Sequence, residues 1–154
     1  MPGGFDLIID GSGLILGRLA SMVAKRLLNG ERIAVVNAEK IVISGSRKFI
    51  VERYKKRLEI KDKAGPWKGP FWMRRPDTIF KRTVRGMLPR KQYRGRRALK
   101  RLRVYIGVPR ELEAYKNQFV TFPEIHCSKL SKGYITLEEL ADEIGHWTPP
   151  NKQS

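Results

Sequence analysis

The sequence predicts an α/β protein built around a parallel sheet, and three consecutive segments carry this prediction. Residues 5–9 are almost all apolar and predict a buried strand that ends at Asp10-Gly11. Residues 16–28 place apolar side chains at helical spacing, and Asn29-Gly30 is a common helix-ending signal. Residues 32–37 predict a second buried strand. A strand, a helix and a strand of these lengths form a right-handed βαβ unit with parallel strands.

The following segments add helices and loops to this unit. Residues 39–44 contain a short apolar run, and Ser46 is a suitable N-cap for a helix reaching about residue 61. Residues 61–75 contain several glycine and proline breakers and predict a loop. Pro76 predicts the start of another helix, which Pro89 ends.

Three further elements complete the predicted order. A short helix is expected over residues 95–102, followed by a strand over residues 103–107. Thr136, with Glu139 three residues later, predicts the N-terminus of a last helix that ends at Gly145. We therefore divide the chain into a domain over residues 1–110 and a C-terminal extension, 111–154, that packs on the core or on a neighbouring protein.

The positive charge of the chain is concentrated in one segment. The 154 residues carry a formal net charge of +17, and residues 51–110 hold 21 basic and 4 acidic side chains, which is the whole surplus. Residues 81–103 hold 11 basic residues, 8 of them Arg, and no acidic residue. A block of one sign indicates a polyanionic partner, and Arg suits bidentate phosphate contacts. The C-terminal extension is slightly acidic.

Composition excludes several other classes of protein. The longest strictly apolar run is four residues, 33–36, so we expect no membrane span. The N-terminal residues lack the pattern of a secretory signal. A single cysteine, Cys127, cannot form an intramolecular disulfide and suits the reducing cytoplasm. The sequence has neither zinc-finger spacing nor a basic region with heptads, which favours RNA recognised by shape and backbone over sequence-specific DNA binding.

Aromatic residues alternate with cations in the predicted loop before residue 76. Trp67, Phe71 and Trp72 lie among Lys68, Arg74 and Arg75. Such rings can stack on exposed bases. They can equally pack the loop onto the core, and the sequence leaves both interpretations open.

Two enzyme alternatives also arise from the sequence. The glycines of residues 11–17 follow a strand and precede a helix, as in a dinucleotide-binding turn, and Glu39 ends the second strand where a ribose-binding acid would lie. The third glycine comes one position late, at Gly17, which argues against this fingerprint. An RNA-processing enzyme with Asp10 or Glu39 as metal ligands is the other alternative.

Several short segments together resemble one protein family, large-subunit ribosomal protein thirteen, in its archaeal or eukaryotic form. The matching segments are residues 16–21, 35–39, 43–45, 84–89, 95–96 and 104–107. The resemblance implies a structural rRNA-binding protein that acts in subunit assembly, with no catalytic activity, metal, cofactor or small-molecule substrate. It also implies a three-layer α/β/α fold with a parallel sheet of about four strands, a place in the cytoplasmic large subunit, and contact with ribosomal protein three.

The resemblance and the charge pattern together define a set of candidate rRNA-binding residues. The positions that match the family are Arg18, Ser44, Arg85, Gly86 and Arg96. The remaining candidates are the basic residues Arg47, Lys48, Lys55, Lys56, Lys68, Arg74, Arg75, Lys81, Arg82, Arg90, Lys91, Arg94, Arg97, Lys100 and Arg101.

Overall fold

Two parallel strands joined by a helix begin the chain, as the sequence predicts. The computed structural model describes residues 2–150. Strand β1 (Leu7–Asp10) is followed by helix α1 (Leu16–Leu28) and strand β2 (Ile33–Val36). The two strands pair in parallel, with Leu7 opposite Ile33. The predicted βαβ unit is therefore confirmed.

The main sheet has three strands in the order β1-β2-β4. Strand β4 (Leu102–Val104) pairs in parallel with the other edge of β2. The fourth strand that the resemblance implies is not formed within residues 2–150. Instead, Val120 makes a single parallel bridge with Ile9, and its N–H donates to the Ile8 carbonyl at 2.9 Å.

A second, separate sheet has two strands, and the sequence did not predict the later of them. Strand β3 (Val42–Ser44) pairs antiparallel with β5 (Tyr134–Thr136). Three residues are too few to show the alternation that identifies a strand. The pairing brings a late segment of the chain against an early one.

Helices α2 (Arg47–Glu59) and α6 (Leu137–Gly145) flank this small sheet, and both begin at the predicted caps. The Ser46 hydroxyl accepts a hydrogen bond from the Phe49 N–H at 3.3 Å. The Thr136 hydroxyl accepts one from the Glu139 N–H at 3.2 Å. Each cap satisfies a backbone donor that has no partner inside its helix.

Helices α3 (Pro76–Met87) and α4 (Tyr93–Lys100) precede β4, and the short helix α5 (Arg110–Glu113) follows it. The prediction of α3 is confirmed. Helix α4 begins and ends two residues earlier than predicted, because a turn closed by the Gln92 N–H on the Pro89 carbonyl at 2.9 Å precedes it. Strand β4 begins one residue earlier than the predicted 103–107, at Leu102, and ends three residues earlier, at Val104.

Side chains alternate across β1 and β2, so the main sheet has apolar residues on both faces. One face, with Ile9 and Val35, packs in the larger core together with α1 and α3. The other face carries a smaller cluster around Ile8 and Val36, to which Leu112 of α5 contributes. Residues 122–140 also supply buried side chains to the larger core. No helix within residues 2–150 combines the length and apolar character needed to cross a bilayer.

Candidate nucleic-acid interface

Helix α3 buries one face and presents cations on another. Phe80 and Val84 are fully buried, and Ile79 is nearly so. Arg82 is exposed, and Arg85 is half-buried near the end of the helix. The apolar stripe fixes the helix on the core, so the arginines project from a rigid support.

The shorter helix α4 likewise buries small residues on one face and exposes cations elsewhere. Gly95 and Ala98 are buried, whereas Arg94, Arg96, Arg97 and Lys100 are exposed. All four cations lie on this one short helix. Gly95 packs against the preceding turn, so α4 holds them close to the end of α3.

Three grooves join the two helices to the preceding loop. The loop groove, about 490 Å³, lies between the end of α2 and residues 66–74. The middle groove, about 320 Å³, shares Phe71 and Trp72 with it and reaches Arg85 and Arg90. The helix groove, about 290 Å³, shares those two arginines and extends to Arg96. Shared lining residues make the three grooves neighbours on the surface, and we call them together the track.

The structure brings some of the candidate residues together along this track. The helix groove is lined by Arg85, Arg90, Lys91 and Arg96, which come from three different segments. Four positive charges around one depression repel each other in the free protein and favour an anionic ligand there. Arg74, Arg82 and Gly86 line the other two grooves.

Several candidates have partners inside the protein. Arg47 pairs with Glu143 at 3.0 Å and with Glu139 at 3.9 Å, which links α2 to α6. Arg75 pairs with Asp77 at 3.4 Å. Arg101 donates a hydrogen bond to the Leu27 carbonyl.

The α4 arginines also make local contacts. Arg94 Nε donates to Gln92 at 2.9 Å, and the Arg97 guanidinium lies 5.5 Å from the centre of the Tyr93 ring.

The remaining candidates lie on other surfaces or beside the track. Arg18 is exposed on the first turn of α1, and Ser44 is exposed on β3. Six candidate lysines line none of the three grooves: Lys48, Lys55, Lys56, Lys68, Lys81 and Lys100.

Three cations that line a groove or lie against an aromatic ring are not among the candidates predicted from the sequence. Lys61 and Lys63 line the loop groove. Arg57 lies 5.0 Å from the Tyr54 ring centre and 5.3 Å from that of Trp72. All three belong to the same run of positive charge as the chosen residues, and their proximity to the aromatic residues 67–72 is the signal that could have identified them.

The turn that suggested nucleotide binding is occupied by the protein's own contacts. The Gly11 N–H donates to the Val36 carbonyl at 2.9 Å, and the Gly13 N–H donates to the Lys40 carbonyl at 3.0 Å. A side chain on Gly13 (φ +74°) would come within 2.5 Å of the His126 ring. A phosphate needs free N–H groups and open space, and this turn offers neither at these positions.

The two carboxylates that suggested metal binding are likewise engaged. Asp10 Oδ1 accepts from the Ser12 N–H at 3.0 Å, the Ser12 hydroxyl at 2.8 Å and the Asn37 amide at 3.0 Å. Glu39, 6% exposed, accepts from the Gly107 N–H at 2.9 Å. Within the described residues, no group of three or more His, Cys, Asp or Glu side chains is placed to hold a metal ion.

Hydrogen bonding also controls the ionisation of Asp10. Partial burial raises its pKa, but the bonds from Asn37 and Ser12, together with the charge of Lys40, outweigh burial. The net effect is a pKa below the ordinary aspartate value. The carboxylate is therefore a charged structural group that ties the end of β1 to the end of β2.

The protein combines an α/β core, carboxylates with structural partners and an Arg-lined track. These features place it in the class of structural nucleic-acid-binding proteins. Comparison with known sequences identifies the family. Residues 6–111 match the family described as Ribosomal protein L13, and the chain belongs to that family. Its members are structural proteins rather than enzymes, so both enzyme alternatives are rejected and the resemblance stated above is confirmed.

Archaeal relatives extend the similarity beyond the family match. The chain is 50% identical over 143 residues to large ribosomal subunit protein uL13 of Methanopyrus kandleri, covering 92% of this chain and 88% of the relative. It is 52% identical over 140 residues to the protein of that name from Archaeoglobus fulgidus, with coverages of 90% and 86%. For Aeropyrum pernix the identity is 51% over 141 residues, with coverages of 91% and 90%.

Proposed function

We propose that this protein is a structural component of the large ribosomal subunit in the cytoplasm and binds rRNA through the track formed by α3, α4 and the loop before them. The observation that carries the proposal is the convergence of Arg85, Arg90, Lys91 and Arg96 on the helix groove. Family membership identifies the large ribosomal subunit as the place of binding, and the groove is the proposed contact surface.

The physical basis of binding is a fixed array of positive charge. Helices α3 and α4 are anchored by buried apolar side chains, so the backbone that carries their arginines is already ordered and binding to phosphates has to order only the side chains. Planar guanidinium groups can contact two phosphate oxygens at once. Backbone contacts of this kind suit a folded RNA, whose phosphates also have fixed positions.

The candidate residues differ in the interactions within the protein that they would lose on binding RNA. Arg85, Arg90 and Arg96 line the track, and we assign them the largest contributions to affinity. Arg47 and Arg75 already pair with carboxylates, so an RNA phosphate would have to compete with those pairs. Their contributions are therefore proposed to be smaller.

The extension over residues 111–154 is proposed to serve protein contacts more than RNA. It is acidic overall, and the exposed residues Glu111, Glu113 and Asp142 lie on α5 and α6. Ribosomal protein three is the proposed neighbour. We also propose the three-layer, four-stranded arrangement as the complete form of the fold; its support is the Val120 bridge at the open edge of β1.

The test is the salt dependence of binding to large-subunit rRNA fragments. Each phosphate neutralised contributes a log–log slope of roughly −0.7 to −0.9. The double variant Arg85→Ala/Arg96→Ala is expected to weaken binding and flatten this slope by about one to two units.

A matched control removes two charges elsewhere. Lys116→Ala/Lys132→Ala changes two exposed lysines of the C-terminal segment and is expected to leave the slope nearly unchanged. Equal effects of the two double variants would reject the proposed surface and indicate a general charge effect.

A further inference from the structure

The loop between α2 and α3 exposes aromatic rings that the core does not use. Trp67 is 73% exposed and Phe71 is 62% exposed, and neither ring belongs to the hydrophobic core. Ile60 and Trp72 are exposed close by. Single exposed apolar residues are ordinary, but a cluster of them marks an interaction site. The packing interpretation of these rings therefore fails for Trp67 and Phe71.

The loop groove combines these apolar surfaces with positive charge. Phe71 and Trp72 line it, and so do the cations Lys61, Lys63 and Arg74. Among its lining residues the one acidic group is Asp62. The groove is thus apolar enough to take a flat hydrophobic group and cationic enough to hold a phosphate beside it.

Contacts within the protein organise the groove before any ligand arrives. The carboxylate of Asp62 accepts a hydrogen bond from the Gly65 N–H at 3.2 Å, and the Gly65 carbonyl accepts one from the Lys68 N–H at 2.8 Å. The Arg57 guanidinium covers one part of the Trp72 ring at 5.3 Å from its centre. Such preorganisation lowers the entropic cost of binding.

We propose that the loop groove receives an unpaired nucleotide of rRNA, with its base stacked on Phe71. The inference rests on the proposed rRNA binding and deepens it. A free nucleotide offers a flat apolar base face and a phosphate charge, which matches the groove's mixture of rings and cations. A paired duplex hides its base faces, and an apolar peptide would leave the lysines without partners.

The rest of the track supports the same ligand. From Phe71 and Trp72 the middle groove continues to Arg82 and Arg85. A strand with one base in the loop groove would therefore carry its adjoining phosphates toward the arginines of α3. One continuous ligand accounts for both the aromatic and the cationic parts of the surface.

The experiment compares two equally exposed phenylalanines in the whole protein. Phe71→Ala removes the proposed stacking ring. Phe49→Ala is the control, because Phe49 is 63% exposed, lies on the first turn of α2 and lines none of the three grooves. Since both side chains are exposed, circular dichroism should show both variants to be folded.

Two RNA probes separate base stacking from charge. One is a single strand of mixed sequence without self-complementarity, and the other is the duplex of that strand with its complement. Phe71→Ala is expected to weaken single-strand binding about 5- to 100-fold, leaving duplex binding and the salt slope unchanged. Phe71→Trp should retain single-strand affinity, and tryptophan fluorescence of the unmodified protein should be quenched by the single strand.

The outcomes distinguish this inference from the function on which it rests. If Phe71→Ala and Phe49→Ala bind the single strand equally well, with a normal salt slope, base stacking is rejected and rRNA binding stands. Equal weakening toward single strand and duplex also rejects stacking. If the unmodified protein also fails to bind large-subunit rRNA fragments in a salt-dependent manner, the proposed function itself fails.

Discussion

Gly95 lies so close to Pro89 that a side chain on the glycine would overlap the proline carbonyl group. The contact is backbone against backbone, so no flexible side chain can move aside. It holds the first turn of α4 against the start of the α3–α4 connection and thereby sets the position of Arg96. Glycine is required at position 95 because the two backbones approach so closely. Gly95 also lines the helix groove.

The first prediction concerns this contact. Gly95→Ala is expected to destabilise the protein by about 1–3 kcal/mol, because α4 must shift to accommodate the added methyl group. The shift should also weaken rRNA binding, since Arg96 moves with the helix. Chemical denaturation and RNA titration of the variant measure the two effects. A fully stable variant with normal affinity would show that the connection adjusts freely.

The second prediction concerns Gly86, for which the free protein offers no structural reason. Gly86 is exposed in the last turn of α3, its φ is not positive, and a Cβ there would meet nothing within 4 Å. Replacing a helical glycine by alanine generally stabilises by about 1 kcal/mol. We expect Gly86→Ala to raise the melting temperature.

The same variant should weaken rRNA binding if an RNA backbone approaches α3 at this position. The matched comparison is Gly17→Ala, since Gly17 is also helical, exposed and free of neighbours within 4 Å. Increased stability with unchanged RNA affinity in Gly86→Ala would remove this residue from the interface.

The third prediction concerns Arg47, which joins α2 to Glu139 and Glu143 of α6. The pairs are exposed, and such pairs contribute about 0.2–1 kcal/mol. Arg47→Ala should therefore lower stability by about 0.5 kcal/mol and reduce rRNA affinity less than Arg96→Ala does. Denaturation at low and high salt provides the check, because the stability difference should shrink as salt screens the pairs. An affinity loss as large as that of Arg96→Ala would make Arg47 a principal RNA contact.

The fourth prediction concerns the pH dependence of stability at Asp10. Because its pKa is lower in the folded protein than in the unfolded chain, its stabilisation is present above the unfolded value of about 3.9. It is lost as the pH falls through the folded value. Asp10→Asn should cost about 1 kcal/mol at neutral pH, a figure reduced for partial exposure.

The difference between Asp10→Asn and the unmodified protein should disappear progressively below about pH 4. Denaturation midpoints measured from neutral to acid pH test this. A constant difference across the range would mean that the charge of Asp10 does not contribute.

Elements with local signals were predictable from the sequence. The βαβ unit follows from continuous apolar segments around a helix of normal length, and the caps at Ser46 and Thr136 follow from side-chain chemistry within three residues. By contrast, β5 depends on a pairing with β3 some ninety residues earlier. Its three residues carry no periodicity, so only the folded chain reveals the strand.

The site was predictable in composition but not in geometry. The charge pattern identified the basic segment, yet it could not separate Arg96, which lines the track, from Arg47, which pairs with α6. It also could not decide between packing and exposure for Phe71. Both distinctions depend on contacts between residues far apart in the sequence, and a local pattern contains no information about them.

The placement of β5 and α6 has a consequence for how the protein is made. Leu137 and Leu140 are fully buried in the larger core, against segments synthesised more than eighty residues earlier. A growing chain that has released only its first 130 residues would expose that apolar surface beside its densest run of positive charge. The larger core is therefore completed only after residues 137–140 have emerged, and until then its apolar surface is open to contacts with other unfolded chains.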